Sequence, residues 1–347
     1  MIRYERARML NNISAKIGGF VILLILVSCR PPAPEVRNEG MPRWCRVYFT
    51  PRDPVVDHMI SLIDEARTRV WAAFYSFTLE EVARALLRAE ERGVDVRVVM
   101  DDSTARAPHS ISGIIKDKIP LRTDFDPSDF MHHKFMVIDS FLTWTGSYNP
   151  GETGSFRDNN NVIVISSARV AAIYEDEFLE MWEGKFVMGS SGPTEKPRIT
   201  LGRVPVEIYF APEDSCARRL IELISGAKKS IRFAAFAFTL EPVAGALLER
   251  HRAGIDIRGV MERGQNSPWN CYPIFEDTGI DIRWDQNLFY LHHKFFVIDE
   301  KIVITGSFNP TKHAREANDE NMLIIHNSSV ARKYLKEFDR LWERQWE

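Results

Sequence analysis

Cysteine is scarce in this chain: four residues in 347, none at CxxC spacing, so a zinc-ribbon reading has no support. Cys29 belongs to an N-terminal segment, while Cys45, Cys216 and Cys271 permit one disulfide at most and are read as structural or incidental. A surplus of positive charge is missing too. Lys and Arg number 45 against 48 Asp and Glu, a formal net charge of −3. An acidic body is not built for broad, sequence-blind nucleic-acid binding, although it leaves room for local basic patches. Long apolar runs are absent as well: the run Ile17–Val27 falls short of the roughly 20 residues a membrane-spanning helix takes. Hydrophobic content of 45% and charged content of 27% fit a globular chain and exclude disordered, fibrous and multi-spanning classes.

The flanks of that run are patterned. Arg3, Arg6, Arg8 and Lys16 precede it and Ser28 and Cys29 end it, the layout of a secretory signal over residues 1–28. Leu26-Val27-Ser28-Cys29 resembles the lipobox of bacterial lipoproteins. That resemblance implies lipidation of Cys29, and Arg30 in place of Asp implies the outer membrane of a two-membrane bacterium. Residues 29–43 include "RPPAPEVRNEG" and read as a Pro-rich tether between an anchor and a folded body. The expected location is the cell envelope, lipid-anchored.

What the body does contain is a duplication. "FMHHKFMVIDSFLTWTGSYNP" (130–150) returns as "YLHHKFFVIDEKIVITGSFNP" (290–310), and residues 47–102 match 208–264. Each copy ends alike, in "YEDEFLEMWEG" (174–184) and "YLKEFDRLWERQWE" (334–347), and "GSSGPTEKPRITLGRVP" (189–205) reads as the linker. The halves are thus 44–188 and 206–347. "RVWAAFYSFT" and "VDVRVVMDD" are β-rich apolar runs. "VVDHMISLIDEART" and "TLEEVARALLRAEERG" carry helical apolar spacing, with Thr78 and Glu81 resembling a capping box and Gly93 at the C-cap. Such alternation predicts an α/β fold, each half holding a mixed, largely parallel sheet flanked by helices. Phe178 with Trp182, and Phe338 with Trp342, recur at i, i+4 and read as core.

A strand sends successive side chains to opposite faces, so His132 shares a face with Lys134, and His292 with Lys294, while His133 and His293 point into packing. For the same reason His132 and His133 cannot easily chelate one ion. Asp139 and Asp299 begin a tight turn. Gly146 and Gly306 let backbone come close, and Ser147 with Asn149, and Ser307 with Asn309, share a face. Each unit offers an imidazole, an ammonium, a hydroxyl and an amide, donors suited to phosphate oxygens plus one group able to act as nucleophile or acid.

The doubled pattern H-x-K-x4-D-x6-G-S-x-N resembles the phospholipase D superfamily, which includes phospholipases, cardiolipin synthases and related nucleases. The resemblance covers about residues 44–347. It implies halves packed about a pseudo-two-fold axis around one active site, and phosphodiester cleavage through a covalent phosphohistidine without a metal or other cofactor. By position the catalytic set is His132, Lys134, Asp139, His292, Lys294 and Asp299. The histidines serve as nucleophile and general acid/base, and the aspartates are expected to hold local structure rather than touch substrate. Lys134, Ser147, Asn149, Lys294, Ser307 and Asn309 are the phosphate-binding set. Glu320, in "NDEN", matches the acidic partner of the motif His, and the same frame in the first half gives Asn160 in "DNNN". A carboxylate behind an imidazole favours its protonated form and an amide does not. The expectation is that His132, backed by Asn160, is the nucleophile, and His292, backed by Glu320, the acid.

The substrate expected is phospholipid at a membrane surface, with the chain active as a monomer. An exported nuclease guided by "KDK" (116–118) or "ARR" (217–219), a phosphatidyltransferase, and an inactive binding module are the alternatives.

Overall fold

The structure, a computed structural model, describes residues 40–125, 128–189, 192–195 and 197–343. The signal segment, Cys29 and most of the tether lie outside the described residues.

Strand–helix alternation is realised twice. The first half runs β1 (Cys45–Phe49), α1 (Val55–Glu65), β2 (Arg69–Phe74), α2 (Glu80–Glu91) and β3 (Asp95–Met100). Short helices α3 (Asp102–Ala105) and α4 (Ser112–Ile115) lead to β4 (Leu121–Thr123), β5 (Phe130–Met131), β6 (Lys134–Ile138) and β7 (Leu142–Gly146). Helix α5 (Glu152–Phe156), β8 (Asn161–Ser166) and the long α6 (Ala168–Trp182) complete it. The second half opens with β9 (Arg198–Leu201) and β10 (Val204–Ala211), so the stretch expected to link the halves ends in an edge hairpin. It continues through α7 (Cys216–Ser225), β11 (Ser230–Ala235), α8 (Glu241–Arg252), β12 (Asp256–Met261), α9 (Tyr272–Asp277) and β13 (Asp281–Trp284). Strands β14 (Lys294–Ile298) and β15 (Ile302–Gly306), helix α10 (Lys312–Glu316), β16 (Asn318–His326) and α11 (Ser328–Glu343) close the chain.

Both sheets are mixed and flanked by helices. The first is ordered β1-β8-β7-β6-β2-β3-β4, and the second carries the equivalent β13-β12-β11-β14-β15-β16-β10 with β9 added at the edge. Apart from a two-residue pair between β5 and β16, parallel pairing is confined to β2-β3-β4 and β11-β12-β13, where helical crossovers join the strands. The β6-β7-β8 meander and its copy are antiparallel, so parallel strands take a smaller share than the alternation alone suggests.

Residue parity shows why these strands lack a polar face. Val70, Ala72 and Phe74 of β2 join a core with α1 and α2, whereas Trp71 and Ala73 join a second core with α6. In the second half Ile231, Phe233 and Ala235 pack with α7 and α8, while Ala234 turns the other way. The inward-facing core is shared by both halves: the Phe49 ring meets Tyr334 edge-on at 5.4 Å, and Tyr174 meets Phe210 at 5.3 Å. Phe178 and Phe338 are buried there with Trp182 and Trp342 stacked on them. The three body cysteines are buried and free.

One local expectation changes and another holds. Helix α2 starts after Leu79 with no side-chain cap. Thr78 instead donates its backbone N–H to the Pro150 carbonyl at 2.8 Å, tying the loop to the motif segment. Gly93 does follow the helix end, at φ +85°, a conformation that favours glycine.

Candidate active site

Two short pairings between the halves decide which side chains meet. Strand β5 runs parallel to β16 with Phe130 opposite Asn318 and Met131 opposite Asp319, and His132 N donates to the Asp319 carbonyl at 3.0 Å. Across the pseudo-dyad Leu291 bridges Asn159, and His292 N donates to the Asn159 carbonyl at 2.9 Å. Advancing each register by one residue sets His132 beside Glu320 and His292 beside Asn160.

The side chains follow. His132 Nδ1 bonds Glu320 Oε2 at 2.8 Å. His292 Nδ1 lies 2.8 Å from Asn160 Oδ1 and 2.9 Å from the Ser147 carbonyl. This corrects the expected pairs, in which each histidine was backed from its own half. The carboxylate stands behind His132 and the amide behind His292, because the residue orienting each ring crosses from the opposite half. In both rings Nδ1 is engaged as the N–H donor, which leaves Nε2 as the lone-pair nitrogen.

The serines are corrected as well. Ser147 and Ser307 are fully buried and do not line the cleft. Ser147 Oγ accepts from Asn161 N at 3.0 Å and donates to Asn160 Oδ1 at 3.1 Å. Ser307 Oγ accepts from Asn321 N at 2.9 Å and hydrogen-bonds Glu320. They position the residues that position the rings. The preceding glycines are needed because a Cβ on Gly146 or Gly306 would come 2.2 Å from the carbonyl oxygen of Asn161 or Asn321.

Asp139 and Asp299 leave the catalytic set. Asp139 accepts from the backbone N–H groups of Arg67, Thr68 and Arg69 at 2.7–3.1 Å, and Asp299 from Lys228, Lys229 and Ser230 over the same range. Both open turns with positive φ at two successive residues. They anchor the hairpin to the loop before β2 or β11, at the end of the strand away from the histidine.

His133 and His293 face the shared core as expected, bonded to Glu177 at 2.9 Å and Glu337 at 3.2 Å. Lys134 Nζ donates to the His132 carbonyl at 2.6 Å and Lys294 Nζ to the His292 carbonyl at 2.8 Å. Each lysine also lies near an aromatic ring, Tyr75 at 5.2 Å and Phe236 at 4.9 Å. Burial pulls the Lys134 ammonium down to about 7, with the Glu320 charge working the other way. Burial lowers Lys294 still more clearly. Both histidines are held well below their ordinary value by burial and then by the two lysines. Glu320 is pushed up to about 7, also by burial, against the pull of Lys134. Burial at this site therefore disfavours charge, and a bound anion would favour it on the lysines and histidines.

Between the histidines lies a cleft of about 950 Å³, lined from both halves by His132, His292, Asn149, Asn309, Asp158 and Asn318 among others. The amide oxygens of Asn149 and Asn309 are buried there without a hydrogen-bond partner. Tyr75, Phe236, Phe130 and Tyr290 wall it, and His109 and His313 line it as well. None of these six was singled out from the sequence. Phe130 and Tyr290 sit at one position of the two copies and were findable from the repeat.

A family model described as cardiolipin synthase, PLD-like domain, matches the chain twice, over residues 59–182 and 220–342. The chain belongs to the phospholipase D superfamily. Mitochondrial cardiolipin hydrolase of Xenopus laevis is 37% identical over 131 residues, covering 38% of this chain and 62% of the frog protein. Phospholipase D of Rickettsia conorii is 29% identical over 189 residues, covering 52% of this chain and 94% of that protein. The match thus spans less than two thirds of the frog relative's length. Phosphatidylserine synthase of Haemophilus influenzae shares the fold, with a TM-score of 0.63, 12% identity and 86% of each chain covered.

Proposed function

We propose that this protein is a phosphodiesterase of phospholipase D type that hydrolyses phospholipid at the surface of the cell envelope, where lipidation at Cys29 would hold it. One observation carries the reading. Each motif histidine has Nδ1 fixed by a side chain of the opposite half, so two imidazoles present Nε2 to one cleft whose donors suit a phosphate.

In the first step His132 Nε2 attacks phosphorus, a P–N bond forms, and the P–O bond to the leaving alkoxide breaks as His292 supplies its proton. One ring cannot perform both tasks in the same step. Lys134, Lys294, Asn149 and Asn309 hold the phosphoryl oxygens and offset charge on the pentavalent species. Water then attacks phosphorus, His292 takes its proton, and the P–N bond breaks. The roles rest on the charge that develops, not on resting protonation. Attack makes the nucleophilic ring cationic, which the Glu320 carboxylate offsets. A neutral acceptor behind His292 keeps its imidazolium a stronger acid.

Trapping tests the assignment. With a p-nitrophenyl diester, whose leaving group departs without protonation, His292→Asn should still accumulate acid-labile phosphohistidine and His132→Asn should form none. Label on the His132→Asn protein would reverse the roles. Offering phosphatidylglycerol vesicles and single-stranded DNA side by side tests the substrate. Faster DNA cleavage that falls steeply with salt would move the proposal to nucleic acid.

A further inference from the structure

Several large apolar side chains that the fold leaves exposed stand on segments at the rim of the cleft. Leu288 is 87% exposed, Trp269 81% and Phe156 54%, with Phe289 partly exposed beside them. The loop 286–290 of the second half lies against the end of α5 of the first. Asn287 Nδ2 donates to the Arg157 carbonyl at 3.0 Å, Tyr290 N donates to Asp158 Oδ1 at 3.0 Å, and the Arg157 guanidinium covers the Phe289 ring at 4.9 Å. Trp269 follows on the adjoining loop. That loop is tied to the first through Glu262, which accepts from Gly264 N at 2.6 Å and Leu291 N at 2.7 Å. These segments reach the cleft, since Tyr290 and Asp158 line it.

We infer that Leu288, Phe289, Phe156, Trp269 and Arg157 form a lip that inserts into a phospholipid bilayer and brings the cleft over its headgroups. The inference rests on the phospholipid reading above. Three features select a bilayer. The segments that carry the apolar groups also line the cleft, so an occupant of the patch lies beside the substrate. A guanidinium, that of Arg157, lies among them, a group that pairs with lipid phosphate. Leu, Phe and Trp beside Arg is also the composition of segments that rest at the headgroup boundary.

The test compares full-length wild type with Leu288→Glu, a change at so exposed a site that folding is unaffected, and with Leu288→Ser/Phe289→Ser. Three substrates are used: phosphatidylglycerol vesicles, short-chain phosphatidylglycerol below its micellar concentration, and soluble bis(p-nitrophenyl) phosphate. The expected result is about a tenfold loss on vesicles, with less than a twofold change on either dispersed substrate. Equal rates for variant and wild type on all three would overturn the lip while leaving the phospholipid reading intact. A wild type that cleaves only the soluble diester would overturn both. If Leu288→Glu instead converts a dimer to a monomer on size exclusion with vesicle hydrolysis unchanged, the occupant is a second copy and the proposal fails.

Discussion

Replacing Glu320 with Gln removes one charge and little else. The amide keeps its size and can still accept from His132 Nδ1, now at 2.8 Å from a fully buried carboxylate. Two unit charges about 4 Å apart at an effective dielectric of about 20 interact by about 4 kcal/mol. Only part of the imidazolium charge exists at the transition state, and hydrogen bonds to charged groups contribute roughly 1.5–3 kcal/mol. A loss of about 2 kcal/mol follows, roughly thirtyfold in kcat. Glu320 also supports the charge on Lys134, so KM should rise and kcat/KM should fall further than kcat. The pH profile is the sharper assay. Loss of the carboxylate lowers the pKa of His132, which must be neutral to attack, so the acid limb of kcat/KM moves to lower pH. The alkaline limb, set by protonated His292, should stay. Movement of the alkaline limb alone would show that His132 is the acid and His292 the nucleophile.

The converse variant, Asn160→Asp, places a carboxylate behind His292 and should raise the alkaline limb by about one pH unit while slowing proton donation. Binding of inorganic phosphate at pH 8 should take up protons, measurable by calorimetry in buffers of different ionisation enthalpy. Burial holds Lys134 at about 7 and Lys294 low, and an anion raises both. Glu337→Gln should cost about 3 kcal/mol in denaturant unfolding near pH 7, because Glu337 is held at about 2 by His293 and Arg340 and also pairs with Arg52. That stability is present above the ordinary carboxylate value and is lost as pH falls toward 2, so the variant's deficit should vanish in acid. Its counterpart Glu177→Gln should be near neutral or stabilising, since burial and then the Glu180 and Asp214 charges push Glu177 upward, and the partner it bonds is His133 rather than a guanidinium. Equal costs for the two would refute the distinction.

Much of this was legible in the letters. The alternation of side chains along a strand separated His132 and Lys134 from His133, and the repeat announced two halves. The crossing of Glu320 and Asn160 was not legible, because it depends on β5 finding β16 rather than on spacing within either copy. Ser147 and Ser307 were placed on the correct strand end, but the close approach of Gly146 and Gly306 to the neighbouring strand turns them inward. Thr78 kept a capping sequence while the helix began later, its backbone N–H drawn to Pro150 by tertiary contact. The exposed lip escaped notice because apolar residues in a loop carry no period.

The reciprocal hand-over at positions 160 and 320 bears on how such a site can evolve. Two identical subunits related by a true dyad would change both orienting residues whenever either changed, and could never hold a carboxylate at one ring and an amide at the other. Once the copies lie on one polypeptide, a single codon breaks the equivalence. Division of labour between the histidines is thus open to a fused chain and closed to a symmetric homodimer.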